Sequence, residues 1–402
     1  MLFPDSLQEN PAEMRVFLRP IYSAMRHLFA PTEITSGAFV PPVVFPVATD
    51  RVTSATKRSS LERMPKWLIC IPLVLQWLWL ALRYQSLTLP TVANPAITSG
   101  GLVGEGKLEY FENMGPIALS ATAAYCPVSN YKHYTVKEIH DIMLHAGLSF
   151  PVVAKPNVGL CGHGVQLIGN HSQLLAYMLA FPVNETVVLQ HYLPQDGEAG
   201  IFYSRDPNLE SGSIIGLALR YYPRVVGDGK RTVAELIARD PRAQRLLKSS
   251  RHESIYNPGD VPSASEVVRL ATIGSTRVGG LYCDGHSHIT PQLTRAIDAI
   301  ARDMPSFYFG RFDVRFDSLS ELAEGRGFSI MEINGAGSEA IQAWDPQTSM
   351  TKGFQAIFKK QRILFAIGDV MRSKGFKPLG VLALARLNRR QNRLIAQYPP
   401  SN

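Results

Sequence analysis

From residue 131 onward the chain alternates between two hydrophobic periods. "TVKEIHDIMLHAG" (135–147) spaces its apolar residues three and four apart behind Thr135 and ends at Gly147, which predicts a capped helix. "FPVVAKP" (150–156) predicts a short buried strand, and "NVGLCGHGV" (157–165) is a glycine loop leading into a second strand, "VQLIG". A helix is predicted at 171–181, and strands at 185–194, 200–205 and 213–229. Thr232 and Thr290 cap two further helices, 232–240 and 290–304. The runs 307–318 and 328–335 alternate as strands, and 353–375 is an amphipathic helix. Helices mixed with hairpin-like strand pairs and no internal repeat indicate an α+β fold.

The region before residue 131 is patterned differently. Residues 1–62 are rich in Pro, Ser and Thr without a sustained period and are expected to be irregular; a coherent pattern starts at Met64, as an over-long start would give. Within 63–130 the apolar run 67–82 is interrupted by Pro72 and Gln76 and falls short of the roughly 20 residues a membrane span needs. Its flanks are basic (Arg63, Lys66, Arg83), and it carries Trp67, Trp77 and Trp79. A buried or surface-docked helix is expected, with peripheral membrane contact through 66–84 as the alternative. Residues 84–130 read as loop-rich. In "NPAITSGGLVGEGK" (94–107), Lys107 after a glycine turn suits an anion as well as it suits a bare turn. The expected divisions are 1–62, 63–130, 131–365 and a basic tail, 366–402.

Composition narrows the class. Hydrophobic residues make up 46% and charged residues 18% of 402, too apolar for a disordered chain. The net charge of +8 suits an anionic ligand or a membrane surface. Nucleic acid is not expected, because no basic stripe is interleaved with aromatics. The four cysteines (Cys70, Cys126, Cys161, Cys283) show neither C-x-x-C nor zinc spacing and read as reduced thiols. The first residues lack the apolar core of a secretory signal, so a cytoplasmic protein is expected, membrane-associated if 66–84 docks.

Two stretches carry chemistry. In "AKPNVGLCGHGV", Lys155 closes a strand and three glycines follow, so backbone N–H groups can approach phosphate oxygens beside a point charge. The loop lacks the G-K-[ST] of a Walker motif, and its glycines lead into a strand rather than a helix. In "GRFDVRF" and "FSIMEING", a spacing of two puts Arg311 with Asp313, and Glu332 with Asn334, on one face each. Acid and amide side chains are costly inside a sheet unless something binds them. If the two strands pair, three oxygen-bearing side chains converge, as suits magnesium.

In their order, these elements resemble the ATP-grasp superfamily of carboxylate–amine ligases over about residues 131–365. "VVGDGKRTVAELI" followed by "DVPSASEVVRL" is especially similar to its cyanophycin synthetase and bifunctional glutathione synthetase branch. The resemblance implies two α+β subdomains gripping ATP, preceded here by a divergent N-terminal region. It implies Lys132 and Lys155 on the α- and β-phosphates. The loop 157–164, with Asn157, Gly159, Gly162 and Gly164, would close over the triphosphate. Gln190, His191, Tyr192 and Leu193 would face adenine, and Glu198 the ribose. Asp313, Glu332 and Asn334 would hold two magnesium ions, with manganese as the alternative, and Arg311 would face the transferred phosphoryl group. Arg277, Gly335 and Ser338 would meet substrate. The implied reaction activates a small-molecule carboxylate as an acyl phosphate and joins it to an amine. A phosphotransferase without ligation and a D-alanine–D-alanine ligase-like enzyme are the alternatives, although "GAGSEAIQAWDP" departs from that ligase's loop. Neither the acid, the amine nor the oligomeric state is legible.

Overall fold

The structure, a computed structural model, describes residues 59–247 and 254–402. The irregular stretch expected over 1–62 therefore falls outside the described residues up to 58. Ser59 caps a short helix, Ser60–Arg63, with a reciprocal bond to Glu62.

The strands are β1 (Tyr125–Ser129), β2 (Val152–Pro156), β3 (Gln166–Ile168), β4 (Thr186–His191), β5 (Gly197–Ser204), β6 (Ser213–Tyr221), β7 (Arg224–Val226), β8 (Val267–Arg269), β9 (Leu281–Asp284), β10 (Phe309–Phe316) and β11 (Phe328–Asn334). They form a four-stranded sheet, β1-β4-β2-β3, a five-stranded sheet, β11-β10-β5-β6-β9, and the pair β7-β8. All pairings between named strands are antiparallel. The glycine loop joins β2 to β3 as a hairpin, as its sequence context predicts.

Each sheet buries one face under helices. On the first, Val152, Ala154, Val187 and Leu189 pack with Ile139 and Met143 of the helix Val136–His145 and Leu174 of the helix His171–Ala180. Thr135, the expected cap of the former, accepts from Glu138 N–H and closes a capping box. On the second sheet, Ile201, Leu217, Phe312 and Val314 meet Leu293 and Ile297 of the helix Pro291–Arg302. Burying such side chains is worth roughly 1.5–3 kcal/mol each. The alternation then obliges their neighbours, Lys155, Gln190, Asp313 and Glu198, to point the other way.

Two expectations change. β1 lies before residue 131 yet pairs with β4, so the first sheet reaches back across the expected boundary. Pro127 hid it from the strand pattern. Residues after 365, expected to trail as a basic tail, are built into the fold. The helix Met350–Ser373 runs past that point, and a second helix, Val381–Ile395, brings Leu394 and then Tyr398 into the first sheet's core. The apolar run forms the expected helix, Lys66–Arg83, whose Leu80 packs with Leu364 and Phe365. Among the described residues no helix is long and apolar enough to cross a membrane.

Candidate functional site

A cavity of about 470 Å³ opens between the polar faces of the two sheets. Register explains its floor. In the second sheet Asp313 lies opposite Glu332 on one side and Gly200 on the other, while Arg311 lies opposite Asn334. One row along, Arg315 faces Glu198, which faces Arg220. Gly200 leaves room for the row: a Cβ there would sit 2.7 Å from Ile341 Cδ1 and 3.0 Å from Arg311 Cδ and would push those side chains aside.

Asp313, fully buried, is the most constrained acid. The Arg311 guanidinium forks onto it, with Nη2 at 2.8 Å; Arg220 Nη1 lies at 3.2 Å, and Asn334 Nδ2 donates to it at 3.2 Å. Asp313, Glu332 and Asn334 all line the cavity. Glu332 pairs with Lys107 at 3.4 Å. Burial alone would raise its pKa, but Lys107, Lys155 and Arg311 together hold it at about 2. Glu198 is claimed by Arg220 at 3.0 Å, Arg315 at 3.5 Å and the Tyr222 hydroxyl at 2.8 Å.

From the opposite wall Lys155 reaches across. Its Nζ donates to Gln190 Oε1 and to the Met331 carbonyl, each at 2.7 Å. Met331 is the extra residue of a β-bulge in β11, where the register shifts after Asp313. A bulge leaves the inserted residue out of the ladder, which frees that carbonyl for the lysine. Burial pushes Lys155 down to about 7 against the attraction of Glu332.

The remaining expected residues divide. Gly159, Gly162, His191, Tyr192, Leu193, Glu198, Arg311 and Ser338 line the cavity. Asn157 stands behind it, its Oδ1 accepting from Leu108 N–H, and Gly164 packs on Pro156 and Tyr398. Gly335 packs against Gly101 and Tyr110. Arg277 does not face the cavity: its guanidinium donates to the Cys161 carbonyl and to Ser401 Oγ. Lys132 is also elsewhere, exposed and paired with Glu138 at 2.6 Å. The second cavity lysine is Lys107, nine-tenths buried, whose Nζ lies 3.1 Å from the position of a Cβ on Gly159. The glycine turn before Lys107 was its signal, and its helix Lys107–Phe111 docks on the loop through Asn157.

Sequence reasoning also missed Arg220, Arg315 and the 381–402 segment. Arg315 shares the face of Arg311 and Asp313 by alternation and was findable; Arg220 needed the β5–β6 register. Gln391 Nε2 donates to the Gly159 carbonyl at 3.2 Å and Tyr398 Oη to that of Val158 at 2.5 Å, while Asn388 and Gln391 line the cavity. A trans peptide points its N–H away from its carbonyl, so these bonds fix where the loop's N–H groups face. Among the described residues, four polar atoms of the lining are buried without a hydrogen-bond partner: Glu105 Oε2, Ser338 Oγ, Arg220 Nε and Arg315 Nε.

Among the described residues no group of three or more His, Cys, Asp or Glu side chains forms a metal site. Asp313, Glu332 and Asn334 are two acids and an amide, all hard oxygen donors. Asn334 gives its Nδ2 to Asp313, which leaves its Oδ1 as an acceptor. Such a set fits a magnesium ion that takes its other ligands from phosphate and water.

No family model matches the chain. It is 26% identical over 208 residues to cyanophycin synthetase from Synechocystis sp., a match covering 46% of this chain and 23% of that protein. Among solved structures it is similar to a bifunctional glutathione synthetase from Pasteurella multocida (TM-score 0.34, 16% identity, 67% of this chain and 38% of the other). It is likewise similar to a D-alanine–D-alanine ligase from Bacillus anthracis (TM-score 0.34, 13% identity, 64% of each chain). The chain thus spans about a quarter of the length of the curated relative it matches. By that sequence match and the ordered motifs around its cavity, the chain is similar to the ATP-grasp carboxylate–amine ligases.

Proposed function

We propose that the cavity binds ATP, transfers its terminal phosphoryl group to a carboxylate and passes the resulting acyl group to an amine, releasing ADP and phosphate. The observation that carries this reading is the Asp313–Glu332 row of acids meeting Lys107 and Lys155 across one cavity. A carboxylate and a triphosphate repel each other, so the reaction needs fixed positive charge on both.

Lys107 and Lys155 supply that charge to the phosphates, and the loop N–H groups add directed donors. Residues 190–193 at the end of β4 offer backbone groups to the adenine edge. Glu198 acts through its partners, holding the Arg220 and Arg315 guanidiniums in place rather than reaching a ribose. Arg311 stays on Asp313 and presents its edge to the transferred group. Asp313, Glu332 and Asn334 would hold magnesium, which neutralises phosphate oxygens when bound. The Ser338 hydroxyl and Glu105 Oε2, each without a hydrogen-bond partner in the wall, would meet the acid and the amine. The loop 157–164 and the 381–402 segment exclude water, which would otherwise hydrolyse the acyl phosphate. A cytoplasmic setting, with ATP and magnesium at hand, belongs to this reading.

The test is an ADP-release screen over pairs of amino acids and other small carboxylates and amines, with Glu332→Gln as control. ADP formation that requires both partners and falls at least a hundredfold in the variant supports the ligase. Release that needs only the acid, with a phosphorylated acid as product, would replace it by a phosphotransferase. Turnover unaffected by Glu332→Gln would remove the magnesium assignment.

A further inference from the structure

The helix Lys66–Arg83 is inside out. Its polar residue Gln76 faces inward, donating to the Phe358 carbonyl at 2.8 Å, beside Leu80 and beside Trp77, whose ring meets Phe365 at 5.0 Å. The opposite face, at spacings of three and four, is apolar and bare: Trp67, Ile71, Val74, Leu75, Leu78 and Leu82, the first 67% and the last 80% exposed. Trp79 widens the stripe. Scattered exposed apolar residues need no explanation, but a continuous helical face of them marks a contact surface.

Charge says what the contact is. Neither 63–83 nor 350–368, the two stretches that pack together here, contains an Asp or Glu. They carry Arg63, Lys66 and Arg83 on one, and Lys352, Lys359 and Arg362 on the other. The acids adjoining these stretches in sequence are spoken for: Glu62 pairs with Arg242 at 2.7 Å and Arg245 at 2.9 Å, and Asp369 with Arg372 at 2.5 Å. We propose that this face docks the protein onto the surface of an anionic lipid bilayer. The helix lies in the interface with Trp67 and Trp79 at headgroup depth, and the flanking cations meet lipid phosphates. Apolar residues on one face, indole rings near the helix ends and basic residues beside them are what an interfacial helix requires. The cavity between the two sheets is untouched by this contact, so docking is compatible with turnover.

The test is flotation of the full chain with phosphatidylglycerol-containing vesicles beside pure phosphatidylcholine vesicles. The comparison variant is Leu75→Glu with Leu78→Glu, two exposed positions whose replacement leaves the core intact; an unchanged Tm checks this. The wild-type protein is expected to float with the anionic vesicles, less at high salt, with a blue shift of tryptophan emission. The variant's bound fraction falls about tenfold. No flotation of the wild type, or equal flotation of the variant, overturns the proposal. Self-association by light scattering that the variant abolishes, without vesicle binding, would assign the face to a second copy. Crosslinks from residues 1–58 onto the stripe, again without vesicle binding, would assign it to the chain itself. Either overturns docking to lipid.

Discussion

Lys155 makes a quantitative prediction about nucleotide binding. Burial holds its ammonium at about 7, below the usual 10.5. At pH 8 such a group is only about one-tenth protonated. A triphosphate arriving beside it adds opposite charge within a few ångströms and favours the charged form. Binding a non-hydrolysable ATP analogue at pH 8 should therefore take up about 0.9 proton. Calorimetry in buffers of different ionisation enthalpy reads this as the slope of the observed enthalpy. Uptake should shrink toward zero as pH falls below 6, where Lys155 is already charged. Lys155→Met should remove it at every pH. The sign for stability follows from the same shift. Without ligand the folded pKa lies below the unfolded one, so between about 7 and 10.5 the unfolded chain binds more protons. Stability then rises with pH across that window and is lost as pH falls through it. An enthalpy independent of buffer at pH 8, or the same uptake in Lys155→Met, would refute this account of the wall facing the acids.

Lys107→Met should weaken analogue binding by about ten- to a hundredfold, the range expected for a charge-assisted bond, whereas Lys132→Met should change it less than about twofold; equal effects in a binding titration would reverse the assignment of the two lysines. Glu198→Gln leaves the buried Arg315 guanidinium without a counter-charge and Arg220 with Asp313 alone, which should cost about 3–5 kcal/mol in denaturant unfolding; a loss under about 1 kcal/mol would mean those pairs do not form. Tyr398→Phe and Gln391→Ala each free a carbonyl of the glycine loop, so hydrogen exchange over 157–165 should speed up and analogue affinity fall about fivefold. Unchanged exchange would show that the 381–402 segment merely lies beside the loop.

Local patterns determined a good deal. Capping residues Thr135, Thr232 and Thr290 and the two hydrophobic periods are encoded within a few residues, and each begins a helix where expected. Alternation put Arg311 with Asp313, and Glu332 with Asn334, on shared faces, because a strand's period of two is a covalent fact. Pairing of β10 with β11 then brought the set together. What the pattern could not carry was partner choice across long separations. Lys107 and Lys132 are both lysines just ahead of helical runs. Only docking of the Lys107–Phe111 helix on Asn157 puts Lys107 in the cavity, while Lys132 is held outside by Glu138. Arg277, plausible as a clamp by sequence, is drawn instead to the loop carbonyl of Cys161 and to Ser401.

The C-terminal segment shows the same division most clearly. Its charge made 366–402 look like a solvated tail, since arginines dominate any sum over the sequence. A few residues, Gln391, Leu394 and Tyr398, instead find the first sheet's core and the glycine loop more than two hundred positions earlier. Sequence alone specifies which side chains are available and which face of an element they share. Which elements meet depends on burial summed over the whole chain, and no short window contains that sum.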